Sequence, residues 1–247
     1  IGSIPNSLPQ FLELGYKHDG GTSVVNWHNE VNIPFGYGYR YLTGGANTQL
    51  NWTNWSNPEG QSLRNFLQAN IDAGLTPVIT FYNIKNTLPS IGNTEQEKVI
   101  SNLRNDSSML SYYNNIQLVM QICAEAEFAD ETIILHVEPD MFGFIEKEAR
   151  NQDVSLSNFE ASVESSTHPI TTGLPNSAEG FALALLKLRD TYAPNVLMAY
   201  SFSWWSNGGI TNDNNILSES TVRQRAIETA NAVFEMGFNS SNTYGIS

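Results

Sequence analysis

The chain has 247 residues, 40% of them hydrophobic, enough for one sizeable core, and α/β barrels of this length fold as a single domain. Twelve Lys and Arg against 25 Asp and Glu leave a net charge of -13, which argues against nucleic acid or an anionic membrane surface as partner, since both need a basic footprint. Only 15% of the residues are charged, so Asn, Ser, Thr and Gln carry the polar surface, a composition suited to a neutral partner such as a carbohydrate.

The first ten residues, "IGSIPNSLPQ", have neither a basic start nor an apolar h-region; the chain is expected to begin after a removed leader and to be secreted. No run approaches the ~18 apolar residues of a membrane span. "FLELGYKHDGG" (11–21) predicts the end of a first strand and "IPFGYGYRYLTGG" (33–45) a second. "EGQSLRNFLQANIDAG" sets Leu63, Phe66, Leu67 and Ile71 at helical spacing and stops at Gly74. "TPVITFYNI" (76–84) is β-branched and aromatic, a third strand. A helical region from Thr94 to Ala129 follows, broken near "NDSS". Cys123 lies on its apolar stripe; as the one cysteine it excludes an internal disulfide and reads as a buried structural thiol.

"TIILHVEPDMFGF" (132–144) predicts a fourth strand, and residues 145–176 a polar, irregular loop of a length that suggests a functional segment or a lid. Ser177 is placed to cap the amphipathic helix "SAEGFALALLKLRDTYAPN". "VLMAYSFSWWS" (196–206) predicts a fifth strand, "SESTVRQRAIETANAVFEMGF" a further helix, and "YGIS" the opening of a sixth strand.

Strands alternating with helices predict an α/β fold with a parallel sheet, and no G-x-G-x-x-G nucleotide fingerprint follows the first strand. The expectation is therefore one TIM-like (β/α) barrel domain over residues 1–247. Eight βα units take about 250 residues and about five and a half are counted, so the barrel is expected to be incomplete or truncated at the C-terminus.

Side chains alternate along a strand, so Ile133, Leu135 and Val137 are expected on one face and Ile134, His136, Glu138 and Asp140 on the other. In a barrel the second set crowds the mouth of the pocket, where barrel active sites lie. Asp140, just past Pro139 at a strand end, is the strongest functional candidate. Glu138 also suits a structural carboxylate, and His136 a satisfied interior histidine. Arg40, ending the second strand, suits either a partner for Glu138 or Asp140 or a ligand contact. Trp52 and Trp55 in "NWTNW", Tyr37, Tyr39 and Tyr41, and the pair Trp204–Trp205 offer aromatic faces on which sugar C–H faces stack.

The segment "ILHVEPDMFG" resembles the E-P-D strand of family 6 glycoside hydrolases, the cellobiohydrolases and endoglucanases, with Glu138, Pro139, Asp140 and Gly143 matching and His136, Met141 and Phe142 departing. It is also similar to an "HVEPD" strand of large bacterial secreted proteins, to which "YRYLTGG", "NWTNW" and "PVITFYN" extend the likeness. The family 6 resemblance covers about ten residues. It implies hydrolysis of a polysaccharide, a β-glucan being the expected substrate, with Asp140 as general acid and Tyr82 near the site. Inversion in that family needs a second carboxylate. "YNIKNT" and "AYSFSWW" lack the aspartates the family would supply, which leaves Asp19 as the local candidate for the base, or a carboxylate beyond Ser247, with Glu138, just before Asp140, as the third expected catalytic carboxylate. Arg40, His136, Trp55, Trp204 and Trp205 are the expected substrate contacts. No cofactor, metal, nucleic acid or membrane is called for.

Two other readings compete. His18 and Asp19 with His136, Glu138 and Asp140 would offer metal ligands, but no H-x-H or H-E-x-x-H motif supports them. A non-catalytic carbohydrate-binding or structural surface protein on a degenerate hydrolase barrel fits the absent family 6 aspartates.

Overall fold

The computed structural model describes residues 8–9, 12–18, 30, 35–203, 205–206, 211–212 and 215–237. Five strands form one parallel sheet: β1 (Leu14–Lys17), β2 (Phe35–Thr43), β3 (Thr76–Tyr82), β4 (Ile133–Val137) and β5 (Val196–Tyr200), in spatial order 1-2-3-4-5. Six α-helices accompany them among the described residues: α1 (Gln61–Asp72), α2 (Glu95–Leu103), α3 (Asp106–Cys123), α4 (Met141–Asn151), α5 (Ala178–Tyr192) and α6 (Glu219–Glu235). A two-residue antiparallel ribbon, β6 (Thr211–Asn212) with β7 (Asn215–Ile216), precedes α6 and has no counterpart in the sequence expectations.

The sheet is not closed. β1 and β5 each pair on one side only, so the described residues form an open five-stranded parallel α/β sheet where the sequence predicts an incomplete TIM-like barrel. The sequential strand order has a physical consequence all the same. Parallel crossovers are right-handed, and successive crossovers that step the same way put their helices on the same face of the sheet. That face is dry: Leu42, Ile79, Phe81, Ile133, Leu135, Val137 and Val196 are fully buried, in one cluster with Leu63, Phe66 and Leu67 of α1, Met120 of α3, Phe142 of α4 and Phe181 of α5. Each such side chain contributes about 1.5–3 kcal/mol by leaving water. The opposite face carries Tyr37, Tyr39, Val78, Ile134, His136, Leu197 and Ala199, all half-buried.

Local signals place the helices. α1 starts at Gly60 (φ 75°) and is followed by Gly74 (φ 71°), both in the left-handed region open to glycine. Thr94 and Glu97 form a reciprocal capping box at the start of α2. Asn105 accepts from the Ser108 N–H and begins α3, which is the break expected near "NDSS". Ser177 caps α5 as expected, and Ser218 caps α6. The stretch expected to be a loop from residue 145 is helical to Asn151, with Met141, Phe142, Ile145 and Ala149 buried against the core. From there to residue 177 the chain runs in short 3₁₀ turns that pack rather than cover an opening: Phe159, Ala161, Val163 and Thr171 are fully buried. β5 stops at Tyr200, short of the expected 206, and "YGIS" lies outside the described residues.

Candidate functional site

The C-terminal ends of β2, β3 and β4 meet the first turn of α2 on the open side of the sheet. The register pairs Tyr41 with Thr80, Thr43 with Tyr82, and Thr80 with His136. Tyr41 is exposed and lies edge-on to Tyr82, their ring centres 6.4 Å apart. Beyond Tyr82 the chain turns at Asn83 into a 3₁₀ turn, Ile84–Asn86, and this carries Lys85 back towards the strand end. The Tyr82 hydroxyl donates to Glu95 Oε1, and Lys85 Nζ stands 2.7 Å from Glu95 Oε2 and 6.0 Å from the centre of the Tyr82 ring. Glu95 reaches this point because the capping box fixes where α2 begins.

Asp140 is half-buried at the N-cap of α4, and its own carboxylate does not cap the helix. It is electrostatically coupled to both neighbours. Partial burial raises the Glu95 pKa above its ordinary value, and the Asp140 charge raises it further. Burial lowers the His136 pKa, with Asp140 pulling the other way. Among titratable groups this corner therefore brings Asp140 within electrostatic reach of both Glu95 and the half-buried His136 imidazole, with Tyr82 bonded to Glu95 and Tyr41 beside Tyr82.

Glu138 does not join them. Strand alternation placed its side chain on the His136 face; instead its backbone takes φ 45°, in the left-handed region, directly after the ladder bond from its N–H to Phe81 O (2.8 Å). That single kink sends the carboxyl towards the helix-covered side. There it is fully buried, and Oε1 accepts the N–H groups of Asn83 (2.7 Å) and Ile84 (3.0 Å). Oε2 and the Tyr112 hydroxyl of α3 are electrostatic neighbours, in a geometry that falls short of a hydrogen bond. Burial outweighs the two backbone bonds and pushes the Glu138 pKa up to about 8, so the group is mostly protonated at neutral pH.

The remaining sequence candidates scatter. Arg40 is buried on the helix side of β2: Nη1 donates to Ser62 O (2.9 Å), and the guanidinium lies 5.4 Å from the Trp55 ring centre and 5.6 Å from that of Phe66. Its described partners include neither Glu138 nor Asp140. Trp55 stays 43% exposed with Nε1 bonded to Leu50 O, but its contact with Arg40 puts it beyond the opposite side of β2 from Tyr41 and His136. Trp52 is fully buried and belongs to the core. Trp205 packs on Phe144 of α4 at 5.1 Å between ring centres, so its described contacts are packing contacts. Asp19 and Trp204 lie outside the described residues. Among the described residues no group of three or more His, Cys, Asp and Glu is placed to hold a metal ion, and no helix is long and apolar enough to cross a membrane.

Comparison with family models, curated proteins and solved structures gives no match.

Glu95 and Lys85 are the residues that sequence reading passes over. A signal existed for Glu95. In "NTEQEK" the Thr94-x-x-Glu97 spacing marks a helix start, and a helix that starts after a parallel strand presents its first turn near the strand's C-terminal end. Lys85 carried no signal, since its approach depends on the turn at Asn83.

Proposed function

We propose that the chain is a glycoside hydrolase acting on a neutral polysaccharide, a β-glucan by the family 6 resemblance, and that Asp140 and Glu95 are its carboxylate pair. The observation that carries this reading is the electrostatic proximity of those two carboxyls, at the start of α2 and just after β4, beside the half-buried Tyr82 ring and the exposed Tyr41 ring. In the reaction, Asp140 gives its proton to the glycosidic oxygen as the C1–O bond breaks. Glu95 takes a proton from the water whose oxygen attacks C1, so one water is consumed and the two carboxyls exchange a net proton. Tyr82 and Lys85 fix where the Glu95 oxygens point. The lowered pKa and partial burial of His136 support a neutral imidazole that hydrogen-bonds a sugar hydroxyl. Asp19, the base candidate of the sequence, gives way to Glu95 in this scheme.

The finer fold belongs to the same proposal. The unbroken 1-2-3-4-5 strand order with helices on one face supports a TIM-like barrel wall, whose half-buried face is the barrel interior. The E-P-D resemblance and the likeness to secreted bacterial proteins support an extracellular site of action.

One observation favours a second reading. Glu95 already has a hydrogen-bond partner on each oxygen, as a carboxylate in a purely structural or glycan-binding site would. The two are separated by incubating the protein with a panel of soluble neutral polysaccharides and assaying for new reducing ends and for retention on the same glycans. Cleavage by the native chain that is lost in Asp140→Asn supports hydrolysis. Retention with no cleavage by either protein supports binding alone.

A further inference from the structure

We propose that Glu138 is a positioning residue: its left-handed backbone turns the carboxyl under the exit of β3, where it holds the Asn83–Ile84 turn that brings Tyr82 and Lys85 onto Glu95. A non-glycine residue in the left-handed region is costly and persists only when its surroundings over-determine it. The surroundings here do so. Oε1 bonds the two successive N–H groups of the turn at 2.7 and 3.0 Å. The Asn83 side chain accepts from Gly45 N–H (2.9 Å) and donates to Leu42 O (3.2 Å), which ties the same turn to the exit of β2. Asn102 of α2 donates to Ile84 O (2.7 Å) and Thr87 O (2.6 Å), and Thr87 Oγ1 accepts from Ala46 N–H (3.0 Å). Asn83, Thr87, Asn102 and Glu138 are all fully buried, so none of these bonds has water as a substitute.

The consequence for the site runs through chain neighbours. Tyr82 immediately precedes the pair of amides that Glu138 holds and Lys85 immediately follows it, and these two side chains are the partners of Glu95. If Glu138 lost its acceptor, two buried N–H groups would be left unpaired and the turn would reorient to find others. Glu95 would then lose its fixed environment without any change in its own helix. The link from this scaffold to catalysis rests on the hydrolase reading; the scaffold itself does not.

The test needs no substrate. The Glu95 side-chain carboxyl is titrated by ¹³C NMR, and amide hydrogen exchange is followed at Asn83 and Ile84, in the native chain, Glu138→Gln and Glu138→Leu. Gln keeps an acceptor oxygen and should preserve both the raised Glu95 midpoint and the protection of the two amides. Leu fills the volume without an acceptor; it should raise the Glu95 midpoint further, because the Tyr82 hydroxyl and the Lys85 ammonium that favour the ionised carboxyl move away, and speed exchange at the two amides about tenfold or more relative to β4 amides. An unfolded Glu138→Leu beside a native-like Glu138→Gln still places the requirement on the acceptor oxygen. A Leu variant that leaves the Glu95 midpoint in place, or a Gln variant as damaging as Leu, overturns the proposal. Failure of any glycan to be cleaved bears on the hydrolase reading alone.

Discussion

The proton on Glu138 gives the chain a pH dependence that its surface carboxylates cannot mimic. In the unfolded chain this carboxyl ionises in the ordinary glutamate range; in the folded protein burial holds the proton up to about pH 8. Between those values the folded state binds the extra proton. The stabilisation is therefore complete below the ordinary range and declines as pH rises towards 8, by at most ~1.4 kcal/mol per pH unit for one proton. Glu138→Gln, which cannot ionise, should lack this decline, so its urea midpoint should gain on that of the native chain from pH 5 to pH 8. Parallel midpoints across that range would mean that Glu138 is ionised in the folded protein. Glu138 is also where sequence reading goes furthest astray at this scale. Alternation along a strand assumes an unbroken extended backbone, and one positive φ reverses the face of the side chain that follows.

Among the elements, β4, α1 and α5 are legible because their apolar periods are clean and their caps conventional: a period of two in "IILHV", and helical spacing closed by Gly74 or opened by Ser177. α4 is not. Its first turn follows an apparent strand end, and Gly143 sits inside it, a residue that costs a helix about 1 kcal/mol relative to alanine. The reason for the glycine is tertiary and invisible in the sequence: a Cβ there would stand 3.0 Å from the Trp205 ring and 3.2 Å from Ser203 Cβ. A similar close approach shapes α5. At Gly180, in its first turn, an added Cβ would fall 1.9 Å from the Pro175 carbonyl oxygen, which is backbone and cannot swing aside. Gly180→Ala should therefore destabilise the protein, by about 1–3 kcal/mol in urea unfolding, although alanine is the better helix former. A stabilised Gly180→Ala would show that the Pro175 backbone does not approach α5 this closely.

Over the whole molecule, the parallel α/β sheet is legible in the alternation of strand and helix patterns, whereas closure is not: it depends on the two edge strands meeting, and no local pattern encodes that distance. The charge of -13 acts at this scale on any ligand. At low salt a carboxylated polysaccharide should bind more weakly than a neutral one of the same backbone, and added salt should narrow the gap; affinity electrophoresis at two ionic strengths reads this directly, and tighter binding of the carboxylated form would point to a basic subsite. The proposed pairing of Asp140 with Glu95 makes a sharper demand. A general acid matters most when the departing oxygen is a poor leaving group, and is worth roughly 10²–10⁴-fold there. The decisive measurement is kcat/KM of the native chain and of Asp140→Asn on an unactivated oligosaccharide and on an aryl glycoside with a highly acidic leaving group. The expected result is a loss of about 10²–10⁴-fold on the first and a far smaller loss on the second. An equal loss on both, or no loss on either, would contradict Asp140 as the proton donor.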